Sequence, residues 1–79
     1  MTNVEKYTEC FVKAFALRDD EDVRPLEYQS IAQWDSAGHM VLMALIEDCF
    51  EIMLETDDII DFSSFEKGRE IIKKYEVDL

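Results

Sequence analysis

Trp34-Asp35-Ser36-Ala37-Gly38-His39-Met40-Val41-Leu42-Met43-Ala44-Leu45-Ile46-Glu47-Asp48-Cys49-Phe50 is the stretch on which the reading of this chain turns. Asp35 or Ser36 can cap a helix N-terminus, because a short side-chain oxygen satisfies a first-turn amide. No proline or further glycine interrupts the run from there to Glu51. Some sixteen helical residues at ~1.5 Å each span about 24 Å. Residues 40–46 are apolar on every side, unlike an ordinary surface helix with its single apolar stripe. One stripe must therefore face away from the domain's own core. Four-three-four spacing puts Ala37, Val41, Ala44 and Asp48 on one side, taken as the outer one. Leu42, Ile46, Cys49 and Phe50, mostly larger, are taken as the core side.

On the N-terminal side, Val23 to Trp34 shows no sustained period, and Pro25 biases Arg24 away from helix. Leu26, Tyr28, Ile31 and Trp34 are expected to tie this long first loop down. Thr2-x-x-Glu5 reads as a capping box. Val4, Tyr7, Phe11, Ala14 and Phe15 then recur at helical steps, which predicts a helix over 3–17, ended by the four acids Asp19 to Asp22. On the C-terminal side, Thr56 to Asp61 reads as a short helix capped by Thr56. Ser63-x-x-Glu66 reads as a second capping box opening the last helix, with Phe65, Gly68, Ile71, Ile72 and Tyr75 inward. Lys73 and Lys74 suit its C-terminal dipole. The expected fold is all-α: three long helices and one short one in a bundle-like domain.

The chain has 79 residues, 48% of them apolar, with 8 Lys+Arg against 19 Asp+Glu and a net charge of −11. That length makes residues 1–79 one domain, near the lower limit for a core without staples. It leaves little material for an enzyme's own deep cleft. The charge argues against nucleic acid and anionic membranes, since phosphate binding needs clustered Lys/Arg. It favours basic protein partners through long-range steering. From Pro25 through Glu66 there are ten acids and no Lys or Arg. That half is either a solvated face or a docking surface. No basic-then-apolar leader opens the chain, and no apolar run approaches the ~18–20 residues of a membrane span. Cys10 and Cys49 sit among apolar residues and read as buried free thiols. The expected compartment is the cytoplasm and the expected state a monomer.

Asp35-Ser36 precedes an apolar-acidic helix, Phe50 follows Ser36 by fourteen residues, Glu47-Asp48 comes just before it, and Asp57-Asp58 follows. In this spacing the chain resembles the acyl carrier protein family, without gaps from about Trp34 to Tyr75 and more loosely over the first helix. The resemblance implies a four-helix acyl-carrier-like bundle. It implies a 4′-phosphopantetheine arm on Ser36, added from coenzyme A by a phosphopantetheinyl transferase, with Asp35 assisting that enzyme's Mg²⁺. It implies a carrier rather than a catalyst, one that holds acyl groups as thioesters. Its other partners would be an acyl-activating ligase or acyltransferase and downstream enzymes. Ala37, Val41, Ala44, Glu47, Asp48 and Glu51 are the docking candidates. The residues themselves agree: a helix N-terminus offers free amides and a positive dipole end to an anion. The plainer reading of Ser36 is an ordinary helix start.

Two positions depart from the family pattern. Ala37 stands where a bulky apolar residue is usual, and Val41 where an acid is common. Both soften the outer stripe and point to a dedicated partner set. Trp34 and Gly38-His39 resemble stand-alone carriers of specialised pathways, such as surface-polysaccharide modification. The alternative is an unmodified acidic helical adaptor that uses the same face to bind a basic or amphipathic protein. Asp35, Ser36 and His39 are local neighbours rather than a hydrolytic triad, so His39 is expected at the surface. Met40, Met43, Met53, Leu45 and Leu54 can line a space for an acyl chain or simply fill the core. The acidic runs lack the glycine and terminal bidentate acid of a calcium loop.

Overall fold

Four helices and no strands make up the computed structural model, which describes residues 1–79. Helix α1 spans Asn3–Phe15, α2 Ser36–Phe50, α3 Thr56–Asp61 and α4 Phe65–Lys73. Two helices are long, α4 is of medium length at nine residues and α3 is short. The expectation of three long helices is corrected on this point. None of the four is long and apolar enough to cross a membrane.

Local chemistry sets each boundary. Thr2 Oγ1 accepts from the Glu5 amide at 3.1 Å, and Glu5 Oε1 accepts from the Thr2 amide at 2.9 Å. This is the reciprocal capping box expected for α1. The helix stops at Ala16, before the acidic run. Ala16 turns into the left-handed region (φ 52°), and Leu17 N–H donates back to Val12 O at 3.0 Å. The α2 helix ends the same way at Glu51 (φ 54°), with Ile52 N–H on Glu47 O at 3.1 Å. Two expected caps move by one residue. Glu55, not Thr56, is the cap position of α3, and its side chain makes no capping bond. Ser64, not Ser63, caps α4, accepting from the Lys67 amide at 2.9 Å. The Ser63 carbonyl is engaged elsewhere, by the Tyr28 amide at 2.8 Å.

The core is dominated by aromatics. Tyr7, Phe11 and Phe15 of α1 meet Trp34, Phe62 and Phe65, all essentially inaccessible to solvent. Phe11 sits at the hub, with ring centroids 5.0 Å from Tyr7, 5.0 Å from Phe65 and 5.6 Å from Trp34. Edge-to-face and tilted pairs at such distances add ~0.5–1.5 kcal/mol each beyond their burial. Leu42, Met43 and Ile46 of α2 and Ile71 and Ile72 of α4 complete it. The α2 core stripe thus differs from expectation. Met43 is inside, Phe50 is half-buried and Cys49 is exposed. The inward arc is centred on 42, 43 and 46, which carries Cys49 to the rim. Cys10 is buried as expected.

The long first loop is pinned rather than helical. Trp34 and Val23 are buried, Leu26 and Ile31 half-buried. Glu27 pairs with Ser64 in an isolated antiparallel bridge, and the Phe65 amide donates to Leu26 O at 3.0 Å. These bonds hold the loop against the start of α4 and deliver Trp34-Asp35 to the head of α2. Tyr75 lies beyond α4 and is half-buried. Its hydroxyl donates to the buried Asp58, which also receives Lys74 Nζ at 2.6 Å. Lys74 therefore acts mainly by joining α4 to α3.

Candidate functional site

Ser36 opens α2 because Asp35 stops the chain from being helical before it. Asp35 is extended (φ −101°, ψ −170°), and its Oδ1 accepts from the Gly38 amide at 2.8 Å. Gly38 is required for that approach. A Cβ there would stand 2.0 Å from the Gln33 carbonyl oxygen, which is backbone and cannot yield. The amides of Ser36 and Ala37 donate to no group of the chain. They point from a helix start whose partial positive charge favours anions.

Ser36 Oγ is exposed and shares a hydrogen bond of 3.1 Å with Tyr28 Oη. Tyr28 is held edge-on against Trp34 and His39. A groove of about 400 Å³ adjoins the pair. Ser36, Tyr28 and His39 line it together with Met40 of α2, Ile59 and Ile60 of α3, and Phe62. Ile60 and Met40 remain 72% and 55% exposed there. The groove is thus an open apolar trough beside a serine hydroxyl.

His39 departs from the surface role expected for it. Trp34 Nε1–H donates to His39 Nδ1 at 2.9 Å, so Nδ1 carries no proton. His39 Nε2–H then donates to the Ile59 carbonyl at 2.8 Å. Both ring nitrogens are committed, and neither reaches Ser36. The ring is a strut that ties the buried tryptophan to α3 and fixes one wall of the groove. On the far side of α3, Lys74 and Tyr75 hydrogen-bond Asp58 and hold its carboxyl below the usual range.

The other sequence candidates are distributed as follows. Ala37, Val41, Ala44, Asp48 and Glu51 are all exposed, on or just beyond α2. Glu47 is half-buried, and its Oε2 accepts from the Leu54 amide at 2.8 Å, so it holds the connection to α3. Of the five residues considered for an acyl space, only Met40 lines the groove. Met43 and Leu54 are in the core, Leu45 is half-buried and Met53 is 83% exposed.

Sequence reasoning missed Tyr28 and the Ile59-Ile60 pair. Tyr28 lies eight residues before Ser36 in an aperiodic loop, so no spacing rule links them. Ile59-Ile60 did carry a signal: a six-residue helix cannot bury two adjacent large side chains on one face. No known family model, curated protein or solved structure matches the chain.

Proposed function

We propose that the chain is an acyl carrier protein. It tethers acyl intermediates as thioesters on a 4′-phosphopantetheine arm at Ser36 and presents them to partner enzymes. The observation that carries this reading is the exposed Ser36 hydroxyl at the head of α2, beside an open apolar groove. The resemblance of Trp34 to Tyr75 to the carrier family supports it independently.

The residues present suit such a group. Ser36 offers an accessible oxygen, and Tyr28 orients it through their shared hydrogen bond. The unpartnered amides of Ser36 and Ala37 suit a phosphodiester at that oxygen. Asp35 spends Oδ1 on the Gly38 amide, which leaves Oδ2 for a divalent cation brought by the modifying enzyme. The arm supplies a thiol that holds the acyl group. The chain itself contributes the anchor, the trough beside it and a surface that partners recognise. Tethering raises the effective concentration of the cargo at each partner. The exposed Ala37, Val41, Ala44, Asp48 and Glu51, in a half without Lys or Arg, form a mildly apolar, acidic docking face. Its partners are a phosphopantetheinyl transferase, an acyl-activating ligase or acyltransferase, and later enzymes of a specialised pathway.

Incubation with coenzyme A and a promiscuous phosphopantetheinyl transferase tests the reading. Intact mass rises by one arm, and Ser36→Ala abolishes the gain while leaving the circular dichroism unchanged. A folded wild type that gains no mass identifies the chain instead as an unmodified acidic adaptor, which uses the same face of α2 for a basic or amphipathic protein.

A further inference from the structure

A second groove, of about 300 Å³, lies between α1 and α2, away from Ser36. Cys10 of α1 and Cys49 of α2 both line it. The two thiols are free, and each helix contributes one of them to the wall of this groove. Their accessibility differs sharply: Cys10 is 5% exposed, whereas Cys49 faces solvent. An oxidant in solution therefore meets Cys49 first, and Cys10 waits behind it. Burial, and then the Cys49 thiol itself, push the Cys10 thiol up to about 12. A buried thiol sharing a groove with an exposed one suits a cysteine that resolves beside one that reacts first.

We infer that Cys10 and Cys49 form a redox-sensitive dithiol, a modification site that takes a peroxide and closes to a disulfide joining α1 to α2. In the first step the Cys49 thiolate attacks hydrogen peroxide. An S–O bond forms, the O–O bond breaks, hydroxide leaves, and the sulfur is oxidised by two electrons to a sulfenic acid. In the second step Cys10 Sγ attacks the Cys49 sulfur. The S–S bond forms, the S–O bond breaks, and the departing hydroxyl takes the Cys10 proton to leave as water. The sum is two thiols and one peroxide giving one disulfide and two waters. The bridge would fix the middle of α1 to the last turn of α2, thirteen residues from Ser36. It does not depend on Ser36 carrying an arm.

The test uses the full chain, reduced, desalted and exposed to hydrogen peroxide. It is then unfolded and alkylated with iodoacetamide before intact-mass measurement and peptide mapping without reductant. The expected product is a monomer lighter by two hydrogen atoms, with neither cysteine alkylated and a Cys10–Cys49 linked peptide. It forms at a rate independent of protein concentration, and dithiothreitol restores both thiols. Cys49→Ser, a change at an exposed position, leaves Cys10 fully alkylated after the same exposure. Cys10→Ala, its folding checked by circular dichroism, leaves Cys49 to proceed to sulfinic acid. The proposal is overturned if both wild-type thiols stay alkylatable. It is equally overturned if Cys49 becomes sulfinic acid, or links two chains, while Cys10 remains a thiol.

Discussion

Gly38 and His39 follow Ser36 by two and three residues, and each supports it in a way that single substitutions can test. Gly38→Ala drives a Cβ into the Gln33 carbonyl, so the head of α2 must shift. Overpacking of this kind costs ~1–3 kcal/mol, and urea denaturation should show a loss in that range. His39→Ala strands the buried Trp34 Nε1–H and frees the Ile59 carbonyl. An unsatisfied buried donor costs ~1–3 kcal/mol. The same denaturation series should show it, with Trp34 fluorescence reporting the changed surroundings. The head of α2 was legible in the sequence, because its signal lies within four consecutive residues, but Asp35 and Ser36 stood there as equal candidates for the cap that Asp35 provides. The roles of Tyr28 and His39 were not legible. Their partners, Ser36 for one and Ile59 for the other, are set by how a loop and a short helix pack, which no local pattern encodes.

Both long helices end on residues that pay for a left-handed turn without being glycine. Ala16 stands at φ 52° and Glu51 at φ 54°. A non-glycine side chain there costs ~1–2 kcal/mol, partly offset by its smaller loss of chain entropy on folding. Ala16→Gly should therefore stabilise the protein by about 0.5–1 kcal/mol, seen as a higher denaturation midpoint with an unchanged slope. The short helix α3 depends on polar ties, above all Asp58 to Lys74 and Tyr75. These hydrogen bonds hold the Asp58 carboxyl below its ordinary value. Its folded pKa lies below the unfolded ~3.9, so its contribution is complete above that value. It is lost as pH falls through the lower folded value. Asp58→Asn should lower the melting temperature at neutral pH and flatten its decline in acid; parallel curves for variant and wild type would contradict the assignment. Helices α1 and α4 were readable from apolar periodicity and capping residues, α2 from an unbroken apolar run behind a capping residue, and α3 from Thr56 at its start. Their ends were less so, since Ser63 and Ser64 are chemically equal as caps. Only the bridge from Glu27 to Ser64 selects between them.

A net charge of −11 on 79 residues makes the folded molecule repel itself, most of all in the half without Lys or Arg. Screening shortens the reach of that repulsion to about 10 Å at 0.1 M salt. Added salt or Mg²⁺ should therefore raise the melting temperature, and no change or a fall would count against the electrostatic picture. Four helices around one core, with an acidic half, could be anticipated from composition and pattern. The groove beside Ser36 could not, because it arises where α2, α3 and the pinned loop meet. That groove and the serine at its edge are the basis for reading the molecule as a carrier. Its most direct test is the intact mass of the protein isolated from its own cells, with the modifying transferase present. The account predicts a population heavier by one phosphopantetheine, mapped to the Ser36 peptide. Protein that is always recovered at its unmodified mass would contradict it.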